Sequence, residues 1–187
     1  MATERIALGS GYIYVTEFSD TIPENTVLET DENNIGYIQG GASIEYTPEF
    51  YEAKDDMGKV AKKILTDEEA ILKSGFMTWN GKTLKMLCST ARVTEDATKK
   101  TRTVKIGGIG NYDDKKYVVR FVHADKKTRL TIVGSNNSGL EIAFAKDKET
   151  VLNAEFKAMP NDDEGTLIIY EESDDTITVN SPAQEGQ

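Results

Sequence analysis

Two charged, strand-forming stretches meet at a turn before the middle of the chain, and the fold has to find room for both. Glu49 to Ala53 and Lys59 to Leu65 flank Asp55-Asp56-Met57-Gly58. The final glycine suits a turn position with positive φ, so the segment reads as a β-hairpin. An apolar strand, Ala70 to Thr78, follows, and Asn80 then caps a stretch in which Leu84, Leu87 and Cys88 fall at helical spacing before Ser89. This predicts a short flanking helix of about three turns. The hairpin holds more strand than one small sheet needs, so part of it is expected to project and pair with another copy.

Around the hairpin, short strand-like runs are broken by Gly, Asn and Asp clusters. Tyr12 to Phe18 alternates with the period-2 signature of a half-buried strand, and a turn-rich loop runs from Ser19 to Asn34. Ile35 to Tyr46 resumes the alternation, with Gly40 and Gly41 marking a bulge or close backbone approach. Further strands are predicted at Arg102 to Ile106, Tyr117 to His123, Arg129 to Gly134, Leu140 to Ala145, Val151 to Ala158 and Thr166 to Glu171. Many short strands with a single helix argue for a mainly β fold, a β-sandwich or barrel. The expected organisation is an N-terminal arm over 1–11, one domain over 12–172, and an acidic tail over 173–187 that is expected to be disordered.

Composition narrows the function classes. With 32 acidic against 22 basic residues the net charge is -10, which repels phosphates and argues against tight nucleic-acid binding. The single cysteine, Cys88, allows no intrachain disulfide or cysteine-based metal cluster. The N-terminus lacks the basic region and roughly 7–15 apolar residues that export requires. No stretch approaches the ~20 apolar residues of a membrane span. A chain synthesised soluble in a host cytoplasm, with no membrane binding as a monomer, is the expectation.

Candidate reactive groups read as structural. His123 lies at a strand end in Phe-Val-His-Ala-Asp with no G-x-S-x-G motif in the chain, and reads as a side chain facing solvent or a partner. Cys88 sits on an apolar helix face and reads as a small hydrophobe. Gly107-Gly108-Ile109-Gly110 lacks the Gly-Lys-Ser/Thr continuation of a phosphate loop. The acidic clusters Asp55-Asp56, Asp113-Asp114, Asp162-Asp163-Glu164 and Asp174-Asp175 lack the ligand spacing of a calcium loop. No enzymatic activity, cofactor or metal is expected.

The chain resembles the tail tube proteins of long-tailed phages, particularly those infecting Gram-positive hosts. The resemblance rests on Ile38-Gln39-Gly40-Gly41-Ala42, Phe50-Tyr51-Glu52-Ala53-Lys54-Asp55-Asp56 with Gly58, and Leu72-Lys73-Ser74-Gly75-Phe76-Met77-Thr78-Trp79-Asn80-Gly81. Cys88-Ser89-Thr90-Ala91-Arg92, Lys105-Ile106-Gly107-Gly108, Val119-Arg120-Phe121-Val122-His123 and Phe144-Ala145-Lys146-Asp147-Lys148-Glu149-Thr150 extend it, and Glu155-Phe156-Lys157-Ala158 with Gly165-Thr166-Leu167 closes it. The order of these pieces is specific where each alone is not.

The resemblance implies a subunit of a hexameric ring, with rings stacked into a hollow virion tail tube that DNA crosses without sticking. By the same likeness the partners are further copies and the tape measure, tail terminator and baseplate proteins. The hairpin, through Glu49, Glu52, Lys54, Asp55, Asp56, Gly58, Lys59, Lys62 and Lys63, is the candidate arm reaching the next subunit or ring, its charges setting register. Inner tubes of contractile injection particles or secretion systems share the expectation. A carbohydrate- or receptor-binding β-sandwich is the alternative from another class, resting on Trp79 and scattered tyrosines.

Overall fold

Alternation of apolar and polar residues sets most of the strands. Leu152–Ala158 shows it most cleanly, with Leu152, Ala154, Phe156 and Ala158 buried and the residues between them exposed. The computed structural model describes residues 10–144, 146–147 and 149–174. Its chain is mainly β, in the order β1 (Gly11–Glu17), α1 (Asn25–Leu28), β2 (Ile38–Lys54), β3 (Val60–Phe76), α2 (Gly81–Leu87), β4 (Arg92–Asp96), β5 (Thr101–Lys105), β6 (Tyr117–His123), β7 (Thr128–Asn136), β8 (Leu152–Ala158) and β9 (Ile169–Glu172). The mainly β expectation holds.

Seven strands form one antiparallel sheet in the order β1-β6-β7-β8-β3-β2, with β9 added to β7, while β4 and β5 make a separate hairpin. β7 is the junction. One of its edges takes β6 along Arg129 to Gly134; the other takes β9 at Thr128 to Thr131 and β8 at Gly134 to Asn136. Gly134 marks the handover, because a Cβ there would collide with the Lys157 carbonyl oxygen.

The sheet curls until its two ends share one interior. Ile13 and Val15 of β1 lie in the same buried cluster as Leu72 and Phe76 of β3, together with Ile132, Phe156 and, from α2, Met86 and Leu87. The opposite face of β6 and β7 carries a smaller cluster of Val118, Val133 and Leu28. β6 is therefore covered on both sides, which explains its nearly continuous apolar run.

The lid on that second face was expected to be loop. Within Ser19 to Asn34 the structure adds the one-turn helix α1, whose Leu28 is fully buried. Buried Arg120 fixes it by donating to Thr131 Oγ1 at 2.8 Å, to Asn25 Oδ1 and to Glu29 Oε1, while Arg129 Nε donates to Glu29 Oε1 at 2.6 Å. A buried guanidinium needs such partners, because leaving it unpaired costs several kcal/mol.

Other expectations change in detail. The helix α2 spans seven residues, Gly81–Leu87, and not three turns. Its cap is as expected: Asn80 Oδ1 accepts from Lys82 N and Thr83 N, and Thr83 Oγ1 accepts in return from Asn80 N. Leu87 is buried, whereas Leu84 and Cys88 are half-buried against the main cluster, Cys88 ending the helix. Arg92–Asp96 is a strand the sequence reading omitted, and it pairs with β5 across a turn closed by Asp96 Oδ1.

Leu140 to Ala145 is the clearest correction. Its described residues, Leu140 to Phe144, form no strand. On the β7 side of β8, Glu155 is already taken, because Asn137 N donates to its carbonyl and its own N donates to Asn136 Oδ1. Residues 1–9 and 175–187, the bulk of the expected arm and tail, lie outside the described residues, and Gly11 belongs to β1.

Candidate assembly surface

The hairpin is larger than its sequence suggested. Ile35 to Tyr46 and Glu49 to Ala53 were read as separate strands, as were Lys59 to Leu65 and Ala70 to Thr78; each pair is one continuous strand of 17 residues. The apparent break at Thr47-Pro48 disappears because β2 is an edge strand, where a proline nitrogen can face solvent without costing a ladder bond. Register runs from Ile38↔Phe76 to Lys54↔Val60. It skips at Gln39/Ala42, where Gly40 and Gly41 take φ of +77° and +76°, the bulge the paired glycines lead one to expect.

The tip is closed by the residues singled out for it. Asp55 Oδ1 accepts from Met57 N at 3.0 Å and Lys59 N at 2.8 Å, and Gly58 supplies φ of +76°.

What distinguishes the hairpin is how little of it the rest of the chain covers. β8 pairs with β3 only from Ile71 to Phe76. Beyond that, among the described residues, Thr47 to Lys54 and Val60 to Glu69 form a ladder only with one another, a two-stranded ribbon projecting roughly 25 Å by strand rise. Isolated two-stranded ribbons are at best marginal in water.

All nine of the singled-out residues, Glu49, Glu52, Lys54, Asp55, Asp56, Gly58, Lys59, Lys62 and Lys63, are exposed. Their ion pairs are loose. Glu52 lies 3.7 Å from Lys63 across the ribbon and 3.7 Å from Lys54 along it, a geometry worth at most about 1 kcal/mol at an exposed site. Lys63 also sits over the Phe50 ring at 4.1 Å from its centroid.

Apolar residues lie between the charges. Tyr46, Phe50, Tyr51, Ile64 and Leu65 are all more than 40% exposed, and Met57 at the tip is 84% exposed. Register divides them. Tyr46, Phe50 and Leu65 continue the face on which Ile44 and Leu72 meet the core, while Tyr51 and Ile64 lie together on the other face. Exposed apolar side chains on both faces of the ribbon make it a candidate interaction surface. The missed signal was the alternation itself, since without a third strand an alternating apolar residue has nothing to bury against.

The remaining candidates sit apart from this surface. His123 is buried at the end of β6 with Nδ1 3.0 Å from Asp125 Oδ1, so of the expected settings, solvent or a partner, it does not take solvent. Burial pushes the Cys88 thiol up, away from the nucleophilic thiolate. Trp79 packs half-buried against the main cluster and offers no open aromatic platform. Asp162 Oδ1 is occupied by Thr166 N and Glu164 N within its own turn; the hydrogen bonds to Thr166 hold its carboxyl below the ordinary value. Among the described residues no three acidic, histidine or cysteine side chains converge to hold a metal, and no helix is long and apolar enough to cross a membrane.

No protein-family model matches the sequence, and no curated relative does. Among solved structures, the chain is similar to the tube-terminating cap of an anti-feeding prophage, seen by cryo-electron microscopy. The identity is 10% over 92% of this chain and 100% of that one, with a TM-score of 0.42. A likeness of that size carries no functional argument.

Proposed function

We propose that this chain is a structural subunit of a phage tail tube, copies of it closing into six-fold rings that stack around a channel for DNA. The observation that carries this reading is the ribbon formed by Thr47 to Lys54 and Val60 to Glu69, whose apolar residues and open edges find no cover among the described residues. Unpaired strand edges are sticky, and a protein that keeps one this long gains by pairing it with a fixed partner. The resemblance of the sequence to tail tube proteins supplies the kind of assembly.

In this role the protein performs no reaction and needs no cofactor. Its partners are further copies, with tape measure, tail terminator and baseplate proteins at the ends and inside of the tube. The charge of -10 suits a wall along which DNA slides, because like charge repels phosphate and offers no counterions to release.

Negative-stain microscopy of concentrated protein tests the proposal. Stacked rings or hollow tubes are expected. A variant in which an Asn-Gly turn joins Tyr46 directly to Ala70, its cross-strand partner, keeps the body and should form no stacked tubes. Wild-type protein that remains strictly monomeric at every concentration and ionic strength would overturn the reading.

A further inference from the structure

The segment Leu140 to Phe144 has the sequence of a strand and the structure of a loop. Leu140, Ile142 and Phe144 alternate with Glu141 and Ala143, yet no ladder forms, leaving Ile142 37% and Phe144 81% exposed. The segment lies in the connection between β7 and β8, residues 137–151, a length at which loops without secondary structure are uncommon and usually functional. Both ends are held. Leu140 packs against the main cluster, Asn136 Nδ2 donates to the Gly139 carbonyl at 3.1 Å, and Thr150 Oγ1 donates to the Ala143 carbonyl at 2.7 Å.

We infer that Leu140 to Phe144 is a latent strand, completed by pairing with the outer edge of β2 of a second copy between Ala42 and Thr47. Three observations select that edge. It is uninterrupted over a matching length, bounded by the Gly40-Gly41 bulge on one side and Pro48 on the other. Among the described residues it carries no backbone hydrogen bond on its outer side, whereas the outer edge of β1 is covered at Asn33 to Ile35. Its faces also match. Ile44 and Tyr46 lie on the apolar face, while Ser43, Glu45 and Thr47 lie on the exposed one. Pairing therefore sets Ile142 and Phe144 beside Ile44 and Tyr46, and Ala143 beside Glu45, in either strand direction. Within one molecule the pairing is blocked, because β3 stands between β8, where the segment is rooted, and the outer edge of β2.

The interaction is β-strand addition: main-chain hydrogen bonds supply affinity, and alternate side chains supply the match. It rests on the proposal that copies of this chain assemble, and it adds which segment of one copy closes which edge of the next.

Site-directed cross-linking tests it in a Cys88→Ala background. Ala143→Cys and Glu45→Cys chains, mixed and concentrated, are expected to form an intermolecular disulfide, since paired strands bring Cα atoms within the ~4.4–6.8 Å a disulfide spans. Ala143→Cys with Tyr51→Cys is expected to give none. Ile142→Pro in the full-length chain should leave the monomer's melting temperature unchanged and weaken association more than about tenfold by sedimentation, as loss of an anchoring residue does. Rings or tubes that form without the 143–45 link, or an Ile142→Pro chain that associates like wild type, would overturn the latent strand while leaving assembly standing. Wild-type protein that never associates would overturn both.

Discussion

The two halves of the β2–β3 hairpin have similar sequence character and meet different physical fates. In the proximal half, Ile38 to Tyr46 against Ala70 to Phe76, β8 lies alongside and the main apolar cluster lies beneath, so Ala70, Leu72 and Phe76 are at most 1% exposed. In the distal half the same alternation continues without a third strand, and Phe50, Tyr51, Ile64 and Leu65 stay in water. Burial is decided by the neighbour and not by the strand. The proximal half accordingly stabilises the monomer, and under the proposed function the distal half serves association.

Four substitutions can break or sharpen this contrast. The largest loss is expected at Phe156, fully buried opposite Leu72: Phe156→Ala should cost about 3–5 kcal/mol, measured by denaturant unfolding. Next comes Glu29→Ala, which takes the carboxylate from buried Arg120 and from Arg129 and should cost about 2–4 kcal/mol, loosening α1. By contrast Phe50→Ala, which removes a ring of similar size and its contact with Lys63, should cost the monomer under about 1 kcal/mol while impairing tube formation. A Phe50→Ala loss as large as that at Phe156 would mean the distal ribbon is part of the folding core.

The smallest effect concerns pH. Burial, and then the nearby Asp113 and Glu17, push the Tyr117 phenol up to about 12 from its ordinary value of 10.0. A raised value in the folded state means the neutral phenol is favoured there. Its contribution is complete below pH 10.0 and fades as pH rises toward about 12. Tyr117→Phe should flatten the alkaline fall in melting temperature over that window and leave neutral pH almost unchanged.

Features fixed by local chemistry were legible in the sequence. The turn at Asp55 to Gly58, the bulge at Gly40 and Gly41, and the Asn80 cap each depend on a few adjacent residues, and each is present. What depends on distant neighbours was not legible. Pro48 looked like a strand boundary until the edge position of β2 was known, and α1 forms because the far face of β6 needs Leu28. The charged residues of the candidate surface were visible, but the apolar ones between them were not separable from core residues. At Leu140 to Phe144 local propensity and tertiary context disagree outright.

Pro48 has a further consequence. A single residue without an amide hydrogen divides the outer edge of a 17-residue strand into two short runs, so an incoming strand cannot zip along it without limit. The edge can accept a partner of defined length and then stops. One side-chain ring is thus a ruler for how far any partner strand can pair along this edge.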